Sequence, residues 1–487
     1  MFFIIRKFIL VPIVCGVLCQ MATVSEAWSQ TAPKDSLHVS YEVEKYQLSN
    51  GLTVLLQPDR SAPIVSYQTW FRVGSKHERP GITGIAHLFE HMMFKGAKRY
   101  DGKQFDAVLD AVGGTNNAFT TRDYTGYYIT LPSHKLELAI DLESDRMENL
   151  RVTEENLKSE REVVKEERRF RVDNSVMGTL YEAIFANLYK THSYRWPVIG
   201  WMEDLNKITL EDCKAFYKTY YSPNNATIVV SGDFDKGQVK GLIEKYYGKI
   251  PRQEIPPYKE VTEAPFAGRD LQLRKEIEGN HVVLSYRAPK ADSRDNYAMD
   301  LIANVLGEGP SSRLHKRLVL KAQIATSASS WNMSMQDSSV LGIYVALKPG
   351  ADPSQAVQIV MAELWNLRNK PVAALELEKA RTQIIKGHVD SMKKIEGKAN
   401  ALASNEILFG NYQRLFDDLK TYEALTAEEV KKVASTFLNP GQRLLIQMSS
   451  KGNAPATTPV AAPVVTAPAA PATSPAPSAT PNSGAPQ

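Results

Sequence analysis

Cysteine is all but missing from this chain: three occur in 487 residues, and two of them, Cys15 and Cys19, sit in the N-terminal apolar segment. Cys213 is then the single thiol of the remainder, which excludes an internal disulfide framework there. Long apolar runs are missing too. The run from Phe8 to Leu18, behind the basic pair Arg6 and Lys7, is too short to span a bilayer comfortably. Small residues follow at Ser25-Glu26-Ala27, so residues 1–27 read as a secretory signal peptide cleaved after Ala27. Neither early cysteine is preceded by the small residues that a lipoprotein site wants, which leaves lipid anchoring as the minor reading.

An excess of one charge is also lacking. Lysine and arginine number 58 against 54 acidic residues, dispersed along the chain for a net charge of +4, so no basic face for nucleic acid or an anionic membrane stands out. From Gly452 to Gln487 there is neither a charge nor an aromatic residue. That Pro/Ala/Thr/Ser stretch cannot build a core and reads as a disordered or extended tail. Residues 28–451 remain, enough for two or three sizeable domains whose stability must come from apolar packing.

The patterning of that middle section is of the α+β class. Tyr46 to Leu56 holds two strand-like runs joined at Asn50-Gly51, a strong hairpin signal. Strands are expected at 65–73, 127–131 and 226–231, with helices near 103–112, 135–149, 154–170 and 210–220. After the Pro-rich stretch 250–257 the order strand, polar loop, helix comes again, with a strand at 281–286, a loop at 287–296 and a helix at 297–306. Helical patterns follow at 401–409 and 426–437. A duplication is therefore expected, with domains at 28–255 and 256–451.

One stretch of the first half demands a reason. Gly84 to Gly96, GIAHLFEHMMFKG, places two histidines and a glutamate in an apolar run. On a helix, His87 and His91 stack four apart with Glu90 beside them, so both imidazoles can reach one ion. Zinc suits such a set: three protein ligands, an open position for water, and a carboxylate to take the water's proton. The competing reading is a pair of core histidines. A third ligand is sought in Glu154 to Phe170, EENLKSEREVVKEERRF, where Glu160 and Glu167 lie seven apart on a stripe with Val163 and Val164. Glu162 and Glu166 fall on other faces. Carboxylates on an apolar stripe are costly unless paired or metal-bound, which makes Glu167 the candidate third ligand and Glu160 an auxiliary carboxylate, with an ordinary charged surface helix as the stronger competing reading of the pattern alone.

HxxEH is the inverzincin signature. With Gly113 to Thr120 (GGTNNAFT), Glu160 to Glu167 (EREVVKEE), Tyr221 to Asn225 (YSPNN) and Gly232-Asp233-Phe234, it resembles the pitrilysin family of zinc metallopeptidases. The likeness is closest to the half-length branch that contains the mitochondrial processing peptidase β subunit and bacterial relatives, and it covers nearly the whole chain between the two ends. The resemblance implies two similar mixed α/β-sheet domains forming a bowl-shaped half of a peptidase chamber. It also implies one Zn2+ per chain on His87, His91 and Glu167, with Glu90 as general base and Glu160 as an additional active-site carboxylate. Asn117 and Ala118 match the edge-strand segment that holds the substrate backbone; without the resemblance, Asn117 reads as a turn residue.

The chain departs from the family at one place. The resemblance leads one to expect, after a Gly-rich loop in the second half, an Arg and a Tyr seven residues apart that help to bind substrate. Here the loop is Gly307 to Leu314, but the matching positions are Val319 and Thr326, with Arg313 or Arg317 as the nearest substitutes. The expectation is therefore a heterodimer, in which a homologous subunit supplies that pair, with a homodimer as the alternative. The expected activity is periplasmic cleavage of extended or unfolded peptides. Two other classes compete: a non-catalytic scaffold subunit of the same fold, and a small-molecule metalloenzyme of the S-ribosylhomocysteine lyase type, whose short cytosolic chain fits this one poorly.

Overall fold

A computed structural model describes residues 41–450, so the expected signal peptide and the Pro/Ala-rich tail lie outside the described residues. The first half builds a six-stranded sheet from β1 (Glu44–Gln47), β2 (Thr53–Pro58), β3 (Ile64–Phe71), β4 (Thr115–Thr120), β5 (Thr125–Pro132) and β6 (Ala226–Gly232). Its order is β1-β2-β6-β3-β5-β4. β2 and β6 run parallel, and the other neighbours are antiparallel. The hairpin expected at Asn50-Gly51 forms: Gln47 pairs with Thr53, and Gly51 takes φ +92°, where a side chain would be strained.

The second half builds five strands, β7 (Arg269–Lys275), β8 (His281–Ala288), β9 (Ala325–Met333), β10 (Ser339–Leu347) and β11 (Leu444–Ser450), in the order β7-β11-β8-β10-β9. Set beside β2-β6-β3-β5-β4 of the first sheet, the order is the same strand for strand, and the parallel pair falls at the same place, β7 with β11. The chain is a structural duplicate. Between the two sheets, residues 251–268 form no helix or strand.

Both faces of each sheet are covered, and the two halves exchange the cover. β2, β3 and β6 are almost wholly buried, as a sheet packed on both faces must be. One face of the first sheet packs on that half's own helices around Leu56, Tyr67, Phe89 and Ile129. Its other face, at Leu55, Trp70 and Val229, packs on the helix Ile395–Phe409 of the second half through Ala399, Leu402, Ala403 and Ile407. In return the helix Val176–Leu188 of the first half sits on the second sheet, with Leu180, Ile184 and Leu188 against Val283, Val340, Leu444 and Ile446. A buried polar junction also joins the halves: Lys76 Nζ lies 3.0 Å from Asp123 and 3.5 Å from Asp337.

Candidate metal centre and peptide cleft

The helix Ile85–Met92 starts at Gly84, whose φ of +91° and close approach to the backbone leave no room for a side chain: a Cβ there would lie 2.5 Å from the carbonyl oxygen of Ile199. The buried carboxylate of Glu78 accepts the backbone N–H groups of Gly84 and Ala86, both at 2.9 Å, and so caps the helix start. Ile85, Ala86, Leu88, Phe89 and Met92 go into the core, which turns His87, Glu90 and His91 toward the opposite, half-buried face.

The helix Glu154–Arg168 crosses that face. Thr153 caps it by accepting Asn156 N–H, acidic residues open it and basic ones close it, in keeping with the helix dipole. Its buried positions are Leu157, Glu160, Val164 and Arg168. Val163 does not belong to that stripe as expected: it is 47% exposed and lines the cleft, since it stands between Glu160 and Glu167 on the face turned to the histidines.

The ligand atoms of His87, His91 and Glu167 all lie within 4.8 Å of one another, the group able to hold a metal among the described residues. Glu167 Oε2 is the point of convergence, 3.2 Å from His91 Nε2 and 3.6 Å from His87 Nε2. That oxygen is buried without a hydrogen-bond partner, as is His87 Nδ1. A buried, unpartnered carboxylate oxygen facing two imidazole nitrogens is the donor set of a zinc ion, so the residues fit the metal.

Around this set each further group has a distinct partner. Glu160 Oε2 lies 3.6 Å from His91 Nδ1, and Glu160 Oε1 lies 2.6 Å from Lys95 Nζ. Arg171 Nε lies 2.9 Å from the other Glu167 oxygen. Thr120 Oγ1 donates to Glu90 Oε2 at 2.5 Å. The charges follow. Burial raises the Glu90 carboxyl against the opposing Thr120 hydrogen bond. Burial, with the charge of His91 second, lowers His87 to about 4. Burial also pulls His91 down, but the carboxylates of Glu160 and Glu167 on its two sides outweigh it and raise that ring to about 9.

The whole lies in a cleft of about 800 Å³, whose wall includes Asn117, Ala118, Phe119 and Thr120 of β4. Among the described residues β4 ends the sheet and pairs with β5 alone, which leaves its outer edge without a neighbouring strand, and Ala118 N–H donates to Asn117 Oδ1 at 2.8 Å. Asn117 is thus a strand residue and not a turn residue. A second cavity of about 450 Å³ adjoins, sharing His87, Thr120, Glu167 and Arg171.

Residues 53–200 match the family described as Insulinase (Peptidase family M16), and residues 207–384 match the Peptidase M16 inactive domain. The chain belongs to peptidase family M16. Among its M16 relatives, zinc protease PqqE of Helicobacter pylori is 32% identical over 425 residues, which is 83% of this chain and 95% of that one. The uncharacterized zinc protease YmxG of Bacillus subtilis is 28% identical over 415 residues, 85% of this chain and 100% of its own. A crystal structure of a protease from Helicobacter pylori superimposes with a TM-score of 0.81 at 30% identity, covering 84% of this chain and all of that one.

The M16 inactive-domain match falls largely on the second half, where the HxxEH helix has no counterpart. There Val319 is partly buried against the second core and Thr326 Oγ1 donates to the Ala346 carbonyl. Arg313 is bound by both Glu376 oxygens, at 2.5 and 2.8 Å, and Arg317 lies 2.8 Å from Glu363. Sequence reasoning did not single out Lys95, Thr120 or Arg171. The first two lay inside the quoted motifs, while Arg171 lies just past the helix, in the π-helical turn Arg169–Asp173 that carries it back toward Glu167.

Proposed function

We propose that the chain hydrolyses peptide bonds in extended substrates, with one zinc ion held by His87, His91 and Glu167. The convergence of both histidine Nε2 atoms on the unpartnered Glu167 Oε2, beside a free strand edge, carries this reading. When bound, zinc acidifies a water to near neutrality and polarises the scissile carbonyl. Glu90 accepts a proton from the attacking water and returns it to the departing amine; its burial favours a base of raised affinity for protons, and Thr120 holds the carboxylate in place. Glu160 orients the His91 ring, as outer carboxylates of metal sites do.

Asn117 and Ala118, on the free edge of β4, receive the substrate as an added strand, so that main-chain hydrogen bonds supply most of the recognition. Folded proteins present no such strand and are poor substrates. Because Val319 and Thr326 offer neither a guanidinium nor a phenol, the reading includes a homologous partner subunit that closes the cleft in a heterodimer, with a homodimer as the second choice. The two domains divide at residues 255 and 256, inside the segment without helix or strand, and the N-terminal segment directs the protein to the periplasm.

The experiment is cleavage of a quenched fluorescent unstructured peptide by the purified chain, with zinc measured on the same sample. About one zinc per chain and cleavage that depends on Glu90 support the reading; a chain that binds no zinc sinks it in favour of a scaffold subunit.

A further inference from the structure

Two long cationic side chains, Lys95 and Arg171, line the cleft, and they are committed differently. Lys95 Nζ sits 2.6 Å from Glu160. Arg171 uses only Nε, 2.9 Å from Glu167 Oε1, and among the described residues its terminal nitrogens have no hydrogen-bond partner. Its side chain is 70% exposed, and it borders both the main cleft and the adjoining cavity, so the guanidinium stands on the wall between them beside the metal-ligand set.

The reaction needs a donor in that place. As water adds to a peptide carbonyl, negative charge grows on the carbonyl oxygen, and here it does so close to the carboxylates of Glu90 and Glu167. Fixed donors aimed at such an oxygen are among the largest contributions to catalysis. The second half supplies none at its expected positions, and Arg313 and Arg317 are engaged with Glu376 and Glu363.

We propose that Arg171 is a catalytic residue of the first half, donating through its terminal N–H groups to the scissile carbonyl oxygen as that oxygen becomes negative. Its ion pair through Nε with Glu167 keeps the guanidinium beside the cleft and leaves the four N–H groups of its terminal nitrogens available to a substrate. This inference rests on the peptidase reading and changes one consequence of it: a partner subunit is then required to enclose substrate and not to supply charge.

Arg171→Gln and Arg171→Lys test it in the full chain. Arg171→Gln is expected to lower kcat about a hundredfold with KM within a few-fold, to retain zinc stoichiometry, and to be partly rescued by lysine. A readout independent of turnover is the binding of a phosphonate peptide, whose tetrahedral anion resembles the charged carbonyl, against the matching substrate peptide in the Glu90→Gln background. Arg171→Gln should weaken the phosphonate peptide selectively. Equal loss of both peptides, or loss of zinc with normal turnover once zinc is restored, overturns the proposal and reduces Arg171 to a support for Glu167. A wild-type chain that binds zinc but is inert alone points to the missing partner subunit, and phosphonate binding then decides the role of Arg171; a chain that binds no zinc sinks the peptidase reading itself.

Discussion

Glu160 Oε2 lies 3.6 Å from Nδ1 of His91, on the ring edge opposite the nitrogen that approaches Glu167. One imidazole therefore stands between two carboxylates, one aimed at the ligand point and one behind it. Lys95 holds the rear carboxylate from the far side, so three side chains fix one ring. Under the peptidase reading, the rear carboxylate favours the tautomer whose Nε2 would face a metal.

Glu160→Gln keeps a hydrogen-bond acceptor behind His91 but removes its charge. Zinc affinity is expected to fall about tenfold to a hundredfold, the usual cost of losing an outer carboxylate. Competition with a chelator measures it, and an unchanged affinity would refute the role.

Glu90→Gln removes the proton acceptor and leaves the ligand set alone. Turnover should drop by about a hundredfold to ten-thousandfold with zinc retained. Thr120→Val, which deletes the hydroxyl that holds Glu90, should lower kcat by a smaller factor; steady-state kinetics with metal analysis separates the two effects.

His77 makes the fold sensitive to acid. Burial, with the neighbouring Lys76 charge second, lowers its imidazole from 6.5 to about 4. Gly74 N–H donates to His77 Nδ1 at 3.1 Å, a bond that protonation removes. Lys76, Asp123 and Asp337 surround the ring, which also touches Tyr220 and Tyr258. The unfolded chain takes up this proton first. Stability from this group is thus full above pH 6.5 and lost as the pH falls toward 4, by up to about 3 kcal/mol. Urea midpoints across that range should fall less steeply for His77→Gln than for wild type.

Leu402 is fully buried in the second half's helix against Leu55, Trp70 and Val229 of the first sheet. Leu402→Ala should cost about 2–5 kcal/mol by opening a cavity there. Denaturant titration would show the loss as one transition; two separate transitions would mean that the halves unfold independently. By the same argument, chains cut between residues 255 and 256 should be insoluble when expressed apart, because each exposes the sheet face that the other half covers.

Much of the first half was legible because its signals are local. The Asn50-Gly51 turn, the alternation around β3 and the HxxEH spacing each depend on a few consecutive residues, and the structure places hairpin, strand and helix where they predict them. Val163 was misjudged since helical spacing alone does not say which side of a helix faces a core and which a cleft. In the second half, β7, β9, β10 and the helices Pro353–Asn369 and Ala374–Ser391 lie outside the elements expected from the sequence, although the apolar run of β10 and the Asp352-Pro353 helix start are local signals.

What the sequence by itself determined is the chemistry: two histidines and a glutamate at helical spacing, a second helix with carboxylates seven apart, and motifs dense enough to indicate the family. Those are properties of side-chain type and of the 3.6-residue period, both readable along one dimension. Only the tertiary structure decided that His91 faces Glu167 and Glu160 on opposite edges, that Arg171 swings back to the cleft, and that each half covers the other's sheet. Such contacts join residues far apart in the chain, and no local pattern encodes them because they follow from burying two faces of each sheet at once.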